Sequence, residues 1–141
     1  MMINSTVSHS TDDLYPIAKQ IVLASRSNKF IVFVGELGAG KTTLIGKICL
    51  NLGVNEYLGS PTFSLVNEYD LKNSSGIYHF DCFRIKSDEE MLDIGWDDYL
   101  QQNKWILVEW PEKIKNLLPE HFLLVNIKVD GNKRRIDWKM L

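Results

Sequence analysis

One eight-residue stretch, GELGAGKT at residues 35–42, constrains the fold more than any other part of the sequence. It fills every fixed position of the phosphate-binding pattern G-x-x-x-x-G-K-[ST], known as the P-loop. Glycines at Gly35, Gly38 and Gly40 let the backbone turn tightly, so that successive N–H groups point inward and form an anion nest. The sequence therefore predicts a loop that binds the phosphates of a nucleotide.

Two side chains at the end of this loop carry its predicted chemistry. Lys41 brings its charge to the β- and γ-phosphates, where it acts in binding and in catalysis, and the Thr42 hydroxyl is suited to Mg²⁺. The flanks agree with the motif. Residues 30–34 are apolar and β-branched, as in a central parallel strand, and residues 43–50 have helical spacing of apolar side chains. An ordinary glycine-rich turn that binds nothing is the disfavoured alternative.

Phosphoryl transfer also needs acidic side chains, which hold Mg²⁺ and orient the nucleophile. Glu109 follows the apolar run 105–108, and an acid at the carboxyl end of a central strand lies beside the P-loop in α/β proteins. Asp81 lies near the end of the predicted strand 77–83, where it can orient a water or complete the Mg²⁺ shell. The alternatives are a solvated acid for Glu109 and a surface pair with Arg84 for Asp81.

Other positions keep two interpretations. Residues 60–62, SPT, follow the P-loop helix, where GTPase switch segments carry a Thr that senses Mg²⁺, but an ordinary Ser-Pro turn has the same composition. Trp110 packs either in the core, which is favoured, or near the nucleotide. His79 is interpreted as a strand residue or a neighbour of Asp81. Arg134 contacts a nucleotide base or a partner, or lies on a solvated strand face.

Strands alternate with helices along the 141 residues, which predicts one α/β domain over residues 1–141. Loop residues at 72–76 and 130–132 predict antiparallel hairpins, and residues 1–10 are predicted to be flexible or loosely packed. We therefore expect a P-loop NTPase fold with a mixed, mostly parallel central sheet, added hairpins, and helices on both faces.

Composition also indicates where the protein resides and which partners it has. A net charge of −2 gives no basis for nonspecific nucleic-acid binding, so no DNA partner is expected. The two cysteines, Cys49 and Cys82, match no metal or redox motif and fit a reducing compartment. No apolar segment approaches the ~20 residues that span a bilayer, and the first residues do not resemble a signal peptide. The sequence predicts a cytoplasmic protein without membrane contact.

Four motifs, taken together, resemble one family. GELGAGKTT, SPTFSLVNEY, YHFDCFR and ILVEWPEK occur in this order and with these gaps. This combination resembles the bacterial TsaE family, also called YjeE, from about Thr11 to the C-terminus. P-loops are shared by very many proteins, whereas the conjunction of SPTF, H-x-D-x-[YF]-R and the EW pair is much more specific. One departure is Phe83, which stands where the family usually has a tyrosine.

The resemblance implies a small P-loop ATPase that is required for threonylcarbamoyladenosine at position 37 of tRNAs reading codons that start with A. It implies association with TsaD and TsaB, where TsaD is the transferase and ATP hydrolysis supports repeated turnover. Contact with tRNA is expected only through that complex, and hydrolysis is expected to be slow or partner-dependent.

The resemblance also implies roles for individual residues. Thr42 and Glu109 would hold Mg²⁺, Asp81 would be a catalytic acid, and Thr62 would act in a switch-like loop. Thr11 and Arg134 would lie near the rest of the nucleotide. The residues implied to hold the phosphates are Gly38, Ala39, Gly40, Lys41, Thr42 and Thr43.

The P-loop is also compatible with three other functions. A small-molecule or nucleotide kinase usually adds a lid with several arginines, but Arg84 is the only arginine between Arg26 and Arg134. A GTPase needs N-K-x-D and D-x-x-G, and neither occurs, which makes ATP the predicted nucleotide. A module that binds ATP only as a switch, with negligible turnover, stays open because a partner can complete the site.

Overall fold

The computed structural model describes residues 3–61, 64–72 and 74–141, without the side chains of residues 74 and 75. Within these residues the chain forms a seven-stranded sheet with helices on both faces. Its strands are β1 Asn4–Ser8, β2 Phe30–Val34, β3 Val66–Leu71, β4 Ser74–Asp81, β5 Trp105–Glu109, β6 Leu123–Asp130 and β7 Lys133–Met140. Its α-helices are α1 Leu14–Ser25, α2 Lys41–Leu52, α3 Asp88–Asp93 and α4 Trp96–Leu100. Short 3₁₀ helices cover Thr11–Asp13 and Pro111–Leu117.

The sheet has parallel strands at its centre and antiparallel hairpins at its edges. Its strand order is β1-β7-β6-β2-β5-β4-β3. β2 pairs in parallel with β5 and β6, and β4 pairs in parallel with β5. The antiparallel pairs are β6–β7, β1–β7 and β3–β4. This arrangement confirms the predicted α/β fold with a mixed sheet and added hairpins.

Two cores, one on each face of the sheet, explain why the central strands are apolar throughout. Because side chains alternate across a strand, Ile31 and Phe33 face α1 and α2, whereas Phe30 and Val32 face the other core. Trp96 anchors this second core: it is fully buried, and its indole Nε1 donates to the Leu117 carbonyl at 3.0 Å. The sheet is therefore covered on both faces, as the sequence predicted.

Two helix boundaries are explained by the residues that cap them. Ser87 caps α3, because its Oγ accepts from the Glu90 N–H at 3.2 Å. Gly53 ends α2 with a φ of 107°, in the left-handed region that favours glycine. Among the described residues, no helix is long and apolar enough to cross a membrane.

Two segments differ from the sequence prediction. Residues 4–8, within the segment predicted to be flexible or loosely packed, form β1 along the outer edge of β7. This strand is formed by backbone hydrogen bonds to β7. Its side chains are mostly polar, so no hydrophobic pattern in the sequence indicates a strand there. The predicted strand 77–83 instead begins at residue 74 and ends at Asp81. It ends there because the Asp81 Oδ1 accepts from the Phe83 N–H at 3.0 Å, which turns the chain.

Candidate functional site

The glycine-rich loop connects the end of β2 to the start of α2, as the motif requires. Gly38 and Gly40 have φ values of 80° and 104°, which other residues rarely adopt. A Cβ on Gly35 would lie 2.8 Å from the Ile127 carbonyl oxygen of β6. The loop thus needs glycine for its turn and for its close packing on the neighbouring strand.

Lys41 lies at the first position of α2, with its side chain folded over the loop. Its ammonium donates to the Gly35 carbonyl and lies 3.8 Å from the centroid of the Trp110 ring. Burial lowers the pKa of the Lys41 ammonium, and the Glu109 carboxylate is the first of three acids that oppose this shift. A positive charge is therefore held beside the glycine-rich turn.

Trp110 occupies an unusual backbone position directly after β5. Its φ of 57° is an outlier for a bulky residue, and such strain is concentrated at functional sites. Its ring contacts Lys41 and also the Phe83 ring, at a centroid distance of 4.9 Å. Trp110 also packs against the second core, in agreement with the core interpretation.

The carboxyl ends of β2, β5 and β4 meet beside the loop and bring the two predicted acids together. Glu109 is aligned with Phe33 of β2 on one side and with Asp81 of β4 on the other. Glu109 is buried, with 3% of its side chain exposed, whereas Asp81 is half-buried. This is the strand edge at which ligands bind in α/β sheets.

A chain of hydrogen bonds runs from the loop helix to the buried acid. The Ser60 Oγ donates to the Glu109 Oε2 at 2.8 Å and lies 2.7 Å from the Thr42 Oγ1. His79 reaches the same Oε2 at 2.8 Å through its Nε2. Because the single Ser60 proton goes to the carboxylate, the Thr42 hydroxyl donates to Ser60. Both predicted magnesium ligands, Thr42 and Glu109, therefore belong to one connected group.

The two acids have opposite pKa shifts. Burial alone would raise the pKa of Glu109, but donors from His79 and Ser60, together with the charge on Lys41, hold it below its usual value. Burial raises the pKa of Asp81, and the neighbouring Glu109 carboxylate adds to that rise. Glu109 is thus kept ionised, whereas Asp81 takes up a proton more readily than an exposed aspartate.

A cleft of about 320 Å³ opens on the other side of the loop. Thr11 and Arg134 line it, together with Gly38, Gly40 and Thr43 of the loop region. The Arg134 Nε donates to the Ala39 carbonyl at 3.0 Å, which ties β7 to the loop. Thr11 and Arg134, which the resemblance implies to lie near the rest of the nucleotide, therefore lie next to the glycine-rich turn.

Some predicted positions do not join this site. Thr62 lies outside the described residues. Arg84 is exposed, and no ion pair joins it to Asp81 within the part of the chain that the structure describes. A larger cleft of about 580 Å³, between the end of α2 and β3, contains none of the predicted site residues.

Sequence reasoning missed three contributors to the site. Ser60 was considered only as part of the loop around Thr62, and His79 only as a strand residue or neighbour of Asp81. Tyr57, whose hydroxyl donates to the Thr42 carbonyl at 3.0 Å, was not considered at all. One available signal was strand alternation, which sets His79 on the same face of β4 as Asp81. The oxygens of Thr42 and Glu109 also fit the Mg²⁺ that the resemblance implies, since hydroxyl and carboxylate oxygens are ligands that Mg²⁺ prefers.

Comparisons with known proteins identify similar chains. A family model described as Threonylcarbamoyl adenosine biosynthesis protein TsaE matches residues 8–136. Relatives named tRNA threonylcarbamoyladenosine biosynthesis protein TsaE include one from Rickettsia felis, 37% identical over 130 residues that make up 91% of this chain and 75% of the relative. Another, from Bacillus subtilis, is 34% identical over 119 residues, 84% of this chain and 73% of the relative.

A solved structure is similar over nearly the whole chain. The crystal structure of Bacillus subtilis YdiB superposes with a TM-score of 0.74 and 25% sequence identity, covering 97% of this chain and 84% of that one. The family match covers most of the chain and includes the loop, the strand-end acids and the residues that join them. The chain therefore belongs to the TsaE family of tRNA threonylcarbamoyladenosine biosynthesis proteins.

Proposed function

We propose that this protein is an ATPase that supports formation of threonylcarbamoyladenosine at position 37 of tRNAs reading codons that start with A. It hydrolyses ATP to ADP and phosphate in association with TsaD and TsaB, and it meets tRNA through that complex. The observation that carries the ATPase proposal is the hydrogen-bonded chain from Thr42 of the P-loop helix to the buried Glu109. Membership of the family supports the role in tRNA modification.

Phosphate binding rests on the loop itself. The backbone N–H groups between Gly35 and Gly40 and the N-terminus of α2 favour negative charge, because the turn and the helix dipole both present positive ends. The Lys41 ammonium adds a full charge that can leave the Gly35 carbonyl for a phosphate oxygen. Thr43 follows Thr42 in the first turn of α2 and borders the cleft that Arg134 lines.

Mg²⁺ would be held by the Thr42 hydroxyl and by Glu109, directly or through water. When bound, the ion supplies charge stabilisation to the transferring phosphoryl group. Glu109 suits this role because its pKa is held below the usual value, so it offers a carboxylate at neutral pH.

Asp81 is the candidate for orienting the attacking water. It is aligned with Glu109 on the neighbouring strand and lies half-buried at the same edge of the sheet. Its raised pKa makes it a better proton acceptor than an exposed aspartate, which suits a group that takes a proton from water.

Adenine is the proposed base because the guanine-reading motif is absent from the sequence. Thr11 and Arg134 border the cleft next to the loop and are proposed to contact the nucleoside part of ATP. The proposed compartment is the cytoplasm, because the free, buried Cys49 and Cys82 fit a reducing environment.

ATP hydrolysis by the purified protein, measured alone and with TsaD and TsaB, tests the enzymatic part of this proposal. We expect ADP release that requires Mg²⁺ and rises when both partners are present. A non-hydrolysing switch module would bind ATP but release no ADP under either condition, and that result would contradict the proposed activity.

A further inference from the structure

Ser60 connects the two sides of the proposed magnesium site. Its hydroxyl lies 2.7 Å from the Thr42 hydroxyl on α2 and 2.8 Å from the Glu109 carboxylate on β5. Ser60 itself belongs to neither element, because it lies in the segment between α2 and β3. A third part of the chain therefore sets the spacing between the two proposed ligands.

The hydrogen bonds to Glu109 converge on one oxygen. Ser60 and His79 both donate to Oε2, at 2.8 Å each. Within the part of the chain that the structure describes, these side-chain hydrogen bonds to Glu109 both end on that atom. His79 is wholly buried, and alternation along β4 sets it on the sheet face that α1 and α2 cover. Two donors on one oxygen fix the rotation of the carboxylate, so that Oε1 has a defined direction.

The segment that carries Ser60 is itself anchored to the loop helix. The Tyr57 hydroxyl donates to the Thr42 carbonyl at 3.0 Å, and the Tyr57 ring stacks against the His79 ring at a centroid distance of 6.2 Å. This ring fits against α2 only because residue 46 is glycine, since a Cβ on Gly46 would lie 2.9 Å from it. Tyr57 thus holds the segment that carries Ser60 against Thr42 of α2 and against His79, which donates to Glu109.

We propose that Ser60 is a positioning residue, which holds the Thr42 hydroxyl and the Glu109 carboxylate at a fixed spacing for Mg²⁺. This inference rests on the proposed function and adds a residue to its site. A free Thr42 hydroxyl or Glu109 carboxylate can adopt several rotamers, and binding of the ion must then overcome that freedom. Ser60 restricts these rotamers before the ion binds.

The test compares the Mg²⁺ dependence of ATP binding in the parent protein, Ser60→Ala and Ser60→Thr. Calorimetric titrations of ATP are made over a series of Mg²⁺ concentrations and again in EDTA. Ser60→Ala is expected to need about 10-fold more Mg²⁺ for half of the metal-dependent gain in affinity, the effect of losing one hydrogen bond to a charged group. Ser60→Thr keeps the hydroxyl and is expected to restore the parent's dependence.

A matched control is available in the same segment. The exposed Ser64 donates its Oγ proton to the Val66 carbonyl at 3.0 Å, so Ser64→Ala also loses one hydroxyl hydrogen bond. It should leave the Mg²⁺ dependence unchanged. All variants should bind ATP equally in EDTA and unfold at similar temperatures, because Ser60 is only half-buried.

The outcomes separate this inference from the proposed function. If Ser60→Ala has the parent's Mg²⁺ dependence, or weakens ATP binding equally in EDTA, the positioning role is wrong while the ATP site stands. If the parent protein binds no ATP, or binds it identically with and without Mg²⁺, the proposed function fails and this inference fails with it.

Discussion

Replacing Lys41 with alanine is expected to weaken ATP binding by about 100-fold or more, equivalent to roughly 2.7 kcal/mol. The Lys41 ammonium is held at the proposed phosphate-binding turn by the Gly35 carbonyl and the Trp110 ring. A charged hydrogen bond to phosphate contributes about 1.5–3 kcal/mol, and here the charge acts in a half-enclosed site. Calorimetric titration with ATP and Mg²⁺ measures the change.

Lys19→Ala is the matched control, because Lys19 is exposed on α1 and also loses a full charge. We expect it to bind ATP as the parent does. Lys41→Ala should remain folded, since the lowered pKa of Lys41 indicates that burying its charge is unfavourable. Tight, Mg²⁺-dependent ATP binding retained in Lys41→Ala would contradict the proposed role of the loop.

Glu109→Gln is expected to reduce ATP hydrolysis by about 100-fold or more, within the range seen when one electrostatic group of an active site is removed. Glutamine keeps the shape of the side chain, and its amide oxygen can still accept from His79 and Ser60. It lacks the negative charge that a divalent ion requires. ADP release in the presence of TsaD and TsaB measures this loss.

Binding and turnover should separate in this variant. In EDTA, Glu109→Gln is expected to bind ATP as tightly as the parent, because the loop and Lys41 are unchanged. Glu112→Gln is the control: Glu112 is an exposed carboxylate near Lys41, and its removal should leave hydrolysis within about twofold. Hydrolysis at the parent rate in Glu109→Gln would show that Glu109 is not part of the catalytic site.

Local signals predicted the loop and its flanks well. The strand before Gly35 and the helix after Gly40 depend on neighbouring residues, so the sequence contains the information. Glu109 was also predicted at the end of a buried strand, because a short apolar run followed by an acid is itself a local pattern.

Contacts between distant strands could not be predicted in the same way. His79 meets Glu109 because β4 lies next to β5, and the strand order is set by packing of the whole sheet. Alternation along β4 predicts the face of the sheet on which His79 lies, but it does not predict the residue that His79 contacts. β1 is a further case, because its pairing with β7 joins chain segments more than a hundred residues apart.

The role of Ser60 needed both kinds of information. Its loop composition was recognisable, but its two hydrogen bonds join α2 to β5 across 18 and 49 residues of sequence. The contact of Arg134 with the Ala39 carbonyl likewise depends on how the β6–β7 hairpin lies over the loop.

Nucleoside analysis of tRNA from a bacterial strain depleted of this protein tests its role in tRNA modification most directly. We expect threonylcarbamoyladenosine to be lost on depletion and to return when the parent protein is supplied, but not when Lys41→Ala is supplied. An unchanged level of threonylcarbamoyladenosine in the depleted strain would contradict the proposed function.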